Sequence, residues 1–84
     1  MSVFPNPASA NISIKYHVAG AMRVTLKIYD SVGNLIAEPV KGQMKSAGTY
    51  VSDYSTANLA NAVYFATISA GDNVVQSLRI NVAR

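Results

Sequence analysis

Met22-Arg23-Val24-Thr25-Leu26-Lys27-Ile28-Tyr29-Asp30-Ser31-Val32-Gly33 alternates apolar and polar residues for eight positions and then meets a turn. Met22, Val24, Leu26 and Ile28 fall on one side of an extended chain. Arg23, Thr25, Lys27 and Tyr29 fall on the other, which is the period-two signature of a half-buried strand. Asp first and Gly fourth in Asp30-Ser31-Val32-Gly33 is the pattern of a type I turn whose glycine takes the left-handed conformation as a hairpin bulge. Leu35 to Val40 is then the returning strand, and Pro39, which has no N–H to give a ladder, assigns its far end to an edge or a bend.

The same alternation recurs on both sides of this hairpin. Upstream, Ile12, Ile14, Tyr16 and Val18 point one way and Ser13, Lys15 and His17 the other, until Ala19-Gly20-Ala21 interrupts the pattern. Downstream, Gly42 to Gly48 is polar and reads as a loop, and Thr49 to Tyr54 as a strand rich in β-favouring residues. Ser55 to Ala62 carries turn residues and too few apolar positions for a useful helix, so it reads as a connection. Val63 to Ser69 is the next strand, with Tyr64, Ala66 and Ile68 on one face, and Ala70-Gly71-Asp72-Asn73 is a turn. Val74 to Val82 closes the series with Leu78, Ile80 and Val82 inward and Ser77, Arg79 and Asn81 outward. Six or seven short strands with no helical periodicity predict an all-β domain, an antiparallel immunoglobulin-like sandwich of about seven strands in which two apolar faces cover each other. Closure of one sheet into a barrel would satisfy the same alternation.

With 84 residues the chain has room for one domain and one thin core. It has no cysteine, so neither disulfides nor thiolate metal sites can reinforce that core, and apolar packing must carry the fold. Half of the residues are hydrophobic and 13 % are charged, the balance of an ordered domain. No apolar run reaches the roughly 18 residues of a membrane-spanning helix. The opening Met1-Ser2-Val3-Phe4-Pro5 has no basic start and no apolar stretch behind it, so it does not read as a secretory signal peptide. The net charge is +3, yet Lys15, Arg23, Lys27, Lys41, Lys45, Arg79 and Arg84 stand singly along the chain, without the clustering of a nucleic-acid binder.

Nothing in the sequence assembles a catalytic centre. His17 is the only histidine, it falls on a solvent face, and no carboxylate neighbours it in sequence. Asp30 and Asp72 sit in turns where aspartate binds its own backbone, which leaves Glu38 and Asp53. One histidine, no cysteine and no aspartate-rich loop argue against a metal site, and Gly33, Gly48 and Gly71 read as turn residues, not as a phosphate cradle. No cofactor is expected. Asn11-Ile12-Ser13 fits the N-glycosylation triplet but opens a strand, a poor acceptor position. Of the five tyrosines, Tyr16, Tyr50, Tyr54 and Tyr64 fall inward or nearly so, as core residues with the hydroxyl at the rim.

Val3-Phe4-Pro5-Asn6-Pro7-Ala8-Ser9, in which Pro5 and Pro7 flank Asn6, resembles the start of the C-terminal sorting domain of type IX secretion, whose fold is related to the immunoglobulin-like domain of a flagellar hook-capping protein. The prolines hold this lead-in extended. The resemblance continues in order through Ile12 and Ile14, through Val24 to Asp30 with Gly33 completing a Tyr-Asp-x-x-Gly hairpin, and through Gly48, Leu59 and Val63-Tyr64-Phe65. It ends in an apolar terminal strand with one basic residue, Arg79 followed by Ile80 and Val82. The chain departs from the family at Ala62, where glycine is usual, at Ser52, where an apolar residue is expected between Tyr50 and Tyr54, and at Arg79, where lysine is usual.

The resemblance implies a single sorting domain over residues 1–84, with residues 1–10 leading in from a linker, at the C-terminus of a larger exported precursor. Its partners would be a cargo domain in the same precursor, an outer-membrane secretion translocon and a sortase-like surface protease, and its route the periplasm in transit, then the cell surface or medium. Neither nucleic acid nor a membrane span enters that picture. The domain would supply recognition, chiefly through Gln76 to Arg84, and not chemistry. The competing expectation is a structural or adhesive immunoglobulin-like module, a spacer or a carbohydrate binder, in a secreted multidomain enzyme; fold alone does not separate the two.

Overall fold

The computed structural model of the chain describes residues 1–5, 10–71 and 73–83, of which 73–75 by backbone alone. Seven strands run in chain order: β1 (Ser2–Phe4), β2 (Asn11–Val18), β3 (Met22–Asp30), β4 (Leu35–Lys45), β5 (Gly48–Ser55), β6 (Ala62–Ala70) and β7 (Asn73–Val82). They form two antiparallel sheets, one of three strands in the order β1-β2-β5 and one of four in the order β4-β3-β6-β7. The chain passes between sheets at 19–21, 46–47 and 56–61 and turns back within a sheet at the β3–β4 and β6–β7 hairpins. This is an immunoglobulin-like β-sandwich.

The inner faces follow the alternation. Ile12, Ile14, Tyr16 and Val18 of β2 meet Val24, Leu26 and Ile28 of β3, Tyr64, Ala66 and Ile68 of β6, and Ile80 and Val82 of β7, with Val40 of β4 at one side, and all are buried. Met1, Val3, Met22, Ala37, Tyr50, Tyr54 and Leu59 pack around this cluster as a half-buried fringe. Leu78, also inward, is half-buried opposite Ala66. Thr56 is the one polar residue fully buried among those described; its N–H donates to Ala10 O at 2.8 Å, tying the β5–β6 crossing to the start of β2. The residue before Tyr64's strand needs no special backbone: no described non-glycine residue has positive φ, so Ala62 and Asn61 both take ordinary conformations.

The stretch read as a loop from Gly42 to Gly48 is strand as far as Lys45, and only Ser46 and Ala47 lie between β4 and β5. Alternation fails there because β4 slips against β3: Val24 faces Gln43 while Leu26 faces Val40, so Lys41 and Gly42 together oppose Thr25. Gly42 takes φ +57° in this bulge, a conformation that favours glycine. Two contacts fasten it, Gly42 N–H to Thr25 Oγ1 at 3.0 Å and the Arg23 guanidinium to Gly42 O at 2.6 Å. The strand also runs through Pro39, tolerated because β4 is an edge. Residues 2–4 of the lead-in form a strand that pairs with Lys15 to Ser13; Phe4–Pro5 is a cis peptide, and Asn6 and Pro7 lie outside the described residues.

Tyrosine hydroxyls fix two of the three crossings between the sheets. Tyr50 donates to Ser46 O at 2.7 Å across the β4–β5 corner, stacks on Tyr16 with ring centroids 5.6 Å apart, and has Lys45 Nζ 5.0 Å from its ring centre. Burial, and then the neighbouring Tyr50, raise the pKa of Tyr16. Tyr64, near the start of β6, donates to Ala60 O at 2.9 Å and so pins the end of the β5–β6 crossing, the tyrosine-corner device of such sandwiches. Replacement Tyr64→Phe removes this bond while keeping the ring, and is expected to lower the unfolding free energy by about 1 kcal/mol, read from urea denaturation of the folded variant.

At the β3–β4 hairpin the turn is held from inside. Gly33 has φ +92° and its N–H donates to Asp30 O at 3.1 Å, while the Asp30 carboxylate accepts from Val32 N at 3.0 Å, Asn34 N at 2.9 Å and Asn34 Nδ2 at 3.1 Å. The backbone N–H of Asn34 is the main cause of a lowered Asp30 pKa; burial opposes it, and the Asn34 amide and the N–H groups of Val32 and Gly33 reinforce it. A carboxyl whose pKa is lower folded than unfolded stabilises the fold above its unfolded value, about 3.9, and that stabilisation vanishes as pH falls through the folded value. In urea titrations, Asp30→Ala should therefore unfold earlier than the parent at pH 6, and the two midpoints should converge towards pH 2. Midpoints separated equally at both pH values would refute this role.

Candidate recognition surface

A sandwich offers a partner two outer faces and four sheet edges, and the strand sequences make these unequal. On the three-stranded sheet, Ser13, Lys15 and His17 of β2 and Thr49, Val51, Asp53 and Ser55 of β5 point outward. Their side chains mostly satisfy one another: Ser13 Oγ donates to Asp53 Oδ1 at 2.6 Å, and His17 Nδ1 lies 3.4 Å from Thr49 Oγ1. Val51 stands exposed beside Lys15, its cross-strand partner.

The outer face of the four-stranded sheet has a different composition. Register places Leu35, Tyr29, Phe65 and Arg79 side by side on four successive strands, from β4 through β3 and β6 to β7. Lys27, Thr67 and Ser77 form the next row, and Arg23 and Met44 pair further along. Leu35 is 51 % exposed, Met44 61 % and Phe65 36 %, so much of this face is bare apolar surface. Three of the six cations among the described residues, Arg23, Lys27 and Arg79, lie on it. The sequence shows these charges as isolated residues, and strand pairing places the three on one face in separate rows.

The edges differ as well. β1 is three residues long, and β4 carries Pro39 and three register irregularities, features that discourage a further strand from adding. β7 pairs with β6 in unbroken register from Gln76 to Val82, after one irregularity near its start, and its other side borders no strand of its sheet. β5 is likewise regular along its pairing with β2, an open edge the sequence reading did not single out.

Among the residues picked out from sequence, Ile80 and Val82 are core: their side chains hold β7 down and cannot be read from outside. Arg79 projects from the same strand on the outer face, with Nε donating to Asn81 Oδ1 at 3.3 Å. Tyr64 is a buried corner residue, Asp30 and Gly33 build the hairpin turn, Gly48 opens β5 opposite Val18, and Pro5 ends β1. The structure thus separates these residues into framework and display, and only Arg79 joins the four-residue row.

A crevice of about 390 Å³ opens at one end of the sandwich between Met1, Tyr16, Val18, Met22, Val24 and Ile68, with His17 at its rim, and no carboxylate is among its lining residues. No three potential metal ligands gather anywhere among the described residues. Among the described residues no helix is long and apolar enough to cross a membrane.

No curated protein and no solved structure matches the chain significantly. A family model described as the secretion system C-terminal sorting domain matches residues 2–82, which takes in all seven strands. The chain therefore belongs to the type IX secretion C-terminal sorting-domain family, whose members serve as export signals to the cell surface or medium.

Proposed function

We propose that this chain is the non-catalytic address of a longer precursor: it carries a cargo in the same polypeptide through the periplasm to the type IX translocon of the outer membrane, and a sortase-like surface protease acts on the precursor afterwards. The match of the family over residues 2–82 carries this reading. The fold is compatible with it, since recognition needs a fixed surface or an open edge, and the sandwich offers both in β7 and the face beside it. In this reading residues 1–84 act as one sorting domain. Arg79 belongs to the recognised surface, while Ile80 and Val82 serve by keeping β7 in place, with the Asp30–Gly33 hairpin and the Gly48 and Tyr64 crossings holding the rest of the frame. A spacer or adhesive module would share the sandwich, but nothing beyond the shared fold favours it.

Removal of Arg79 to Arg84 would take Ile80 and Val82 out of the core as well as Arg79 off the surface, so a point substitution separates cause from collapse. Fused behind a periplasm-directed reporter in a type IX-competent cell, the chain should bring the reporter to the surface or medium. Val82→Asp, which places a charge in the core, should leave at least nine-tenths of the reporter in the periplasm. A parent fusion that stays in the periplasm would end the sorting reading.

A further inference from the structure

The outer face of the four-stranded sheet is unlike the rest of the surface. It holds the Leu35, Tyr29, Phe65 and Arg79 row, Met44 beside Arg23, and Lys27 between them. Exposed aromatic residues, methionine and arginine on one patch are the residue types enriched where proteins meet proteins. The opposite face is hydroxyl-rich and pairs Ser13 with Asp53 and His17 with Thr49.

Charge on this face is mostly positive. Arg23, Lys27 and Arg79 contribute three positive charges. Of the three carboxylates among the described residues, Asp30 is committed to its turn and Asp53 lies on the other sheet, so three cations stand against one carboxylate, Glu38, which with Pro39 opposes Lys27 on β4. Its size is also informative. Four strands at about 4.8 Å spacing and some seven residues of about 3.4 Å rise give roughly 19 by 24 Å. About 450 Å² on one partner, or some 900 Å² in total, falls in the range of transient encounters and below that of stable complexes.

We propose that this face docks an acidic protein surface bearing apolar side chains, a component of the export apparatus, in a short-lived contact; the identification of the partner's source rests on the sorting reading above. The apolar row supplies the contact area and the three cations select a negatively charged partner and speed its approach. A contact of this size releases readily, as a signal that must be handed on requires. Arg79 links the face to β7, so docking here and reading of the terminal strand engage one continuous surface.

Site-specific photo-crosslinking in the exported reporter fusion tests it. A benzophenone amino acid in place of Phe65 should give a discrete protein adduct, and the same probe in place of Val51, on the opposite face, should not. Mapping should place the adduct in a segment with more acidic than basic residues. Arg23→Gln, Lys27→Gln and Arg79→Gln combined should lower the adduct yield at least fivefold, whereas Arg79→Lys alone or Lys15→Gln should keep it within twofold. The docking proposal fails, with sorting intact, if the reporter is exported but position 65 gives no adduct, a lipid or glycan adduct, or a yield indifferent to the three charges. It fails equally if only position 51 reacts or if the mapped segment is basic. A fusion that never leaves the periplasm overturns both proposals together.

Discussion

Closure of β2 against β3 and β6 is the interaction on which everything else depends. β2 pairs only with strands of its own sheet, so what joins the two sheets is the contact of Ile12, Ile14, Tyr16 and Val18 with the inner residues of the other sheet, reinforced by covalent crossings of two to six residues. No disulfide and no metal cluster stands behind it among the described residues. Deleting a fully buried side chain such as Ile14 or Leu26 would cost about 2–5 kcal/mol, a large share of what a domain this small possesses. The hydrogen-bonded devices at the margins, Tyr64 to Ala60, Tyr50 to Ser46 and Asp30 to its turn, each contribute less and serve to fix where the sheets meet.

Most of this frame was legible in the sequence because period-two alternation reports directly which side of a strand is dry. Every residue read as inward on β2 is buried, as are Val24, Leu26 and Ile28 on β3, and the Asp30–Gly33 turn forms with the glycine in the left-handed conformation. The misreading of Gly42 to Lys45 as loop has a local cause: one extra residue in a bulge reverses the phase of the alternation, and a glycine there resembles a breaker until its bonds to Arg23 and Thr25 are seen. What a single sequence does not contain is which strands lie side by side. Tyr29, Phe65 and Arg79 are separated by 36 and 14 positions along the chain, and no pattern in any one strand announces that they form a row. The framework is written in periodicity, whereas the display surface is written in register.

That division also explains why the family's motifs fall where they do. Most of the described motif residues set backbone geometry or fill the core, in the hairpin turn, at the corner and along the terminal strand. Such residues make the scaffold recognisable from sequence, while the outward half of the same strands forms the surface the domain presents. Arg79 is the exception that belongs to both descriptions, since it lies in the terminal motif and on the aromatic row.

β7 carries a further implication. Its Ile80 and Val82 are structural members of the hydrophobic cluster, and its partner strand β6 is also central to the larger sheet. A ribosome delivers these residues after all the others of the sandwich, so a nascent chain lacking them has an incomplete interior and a β6 paired only with β3. Assembly of this domain must therefore wait until its last strand has been made, which keeps the chain open during synthesis and available to any machinery that handles it as an extended polymer.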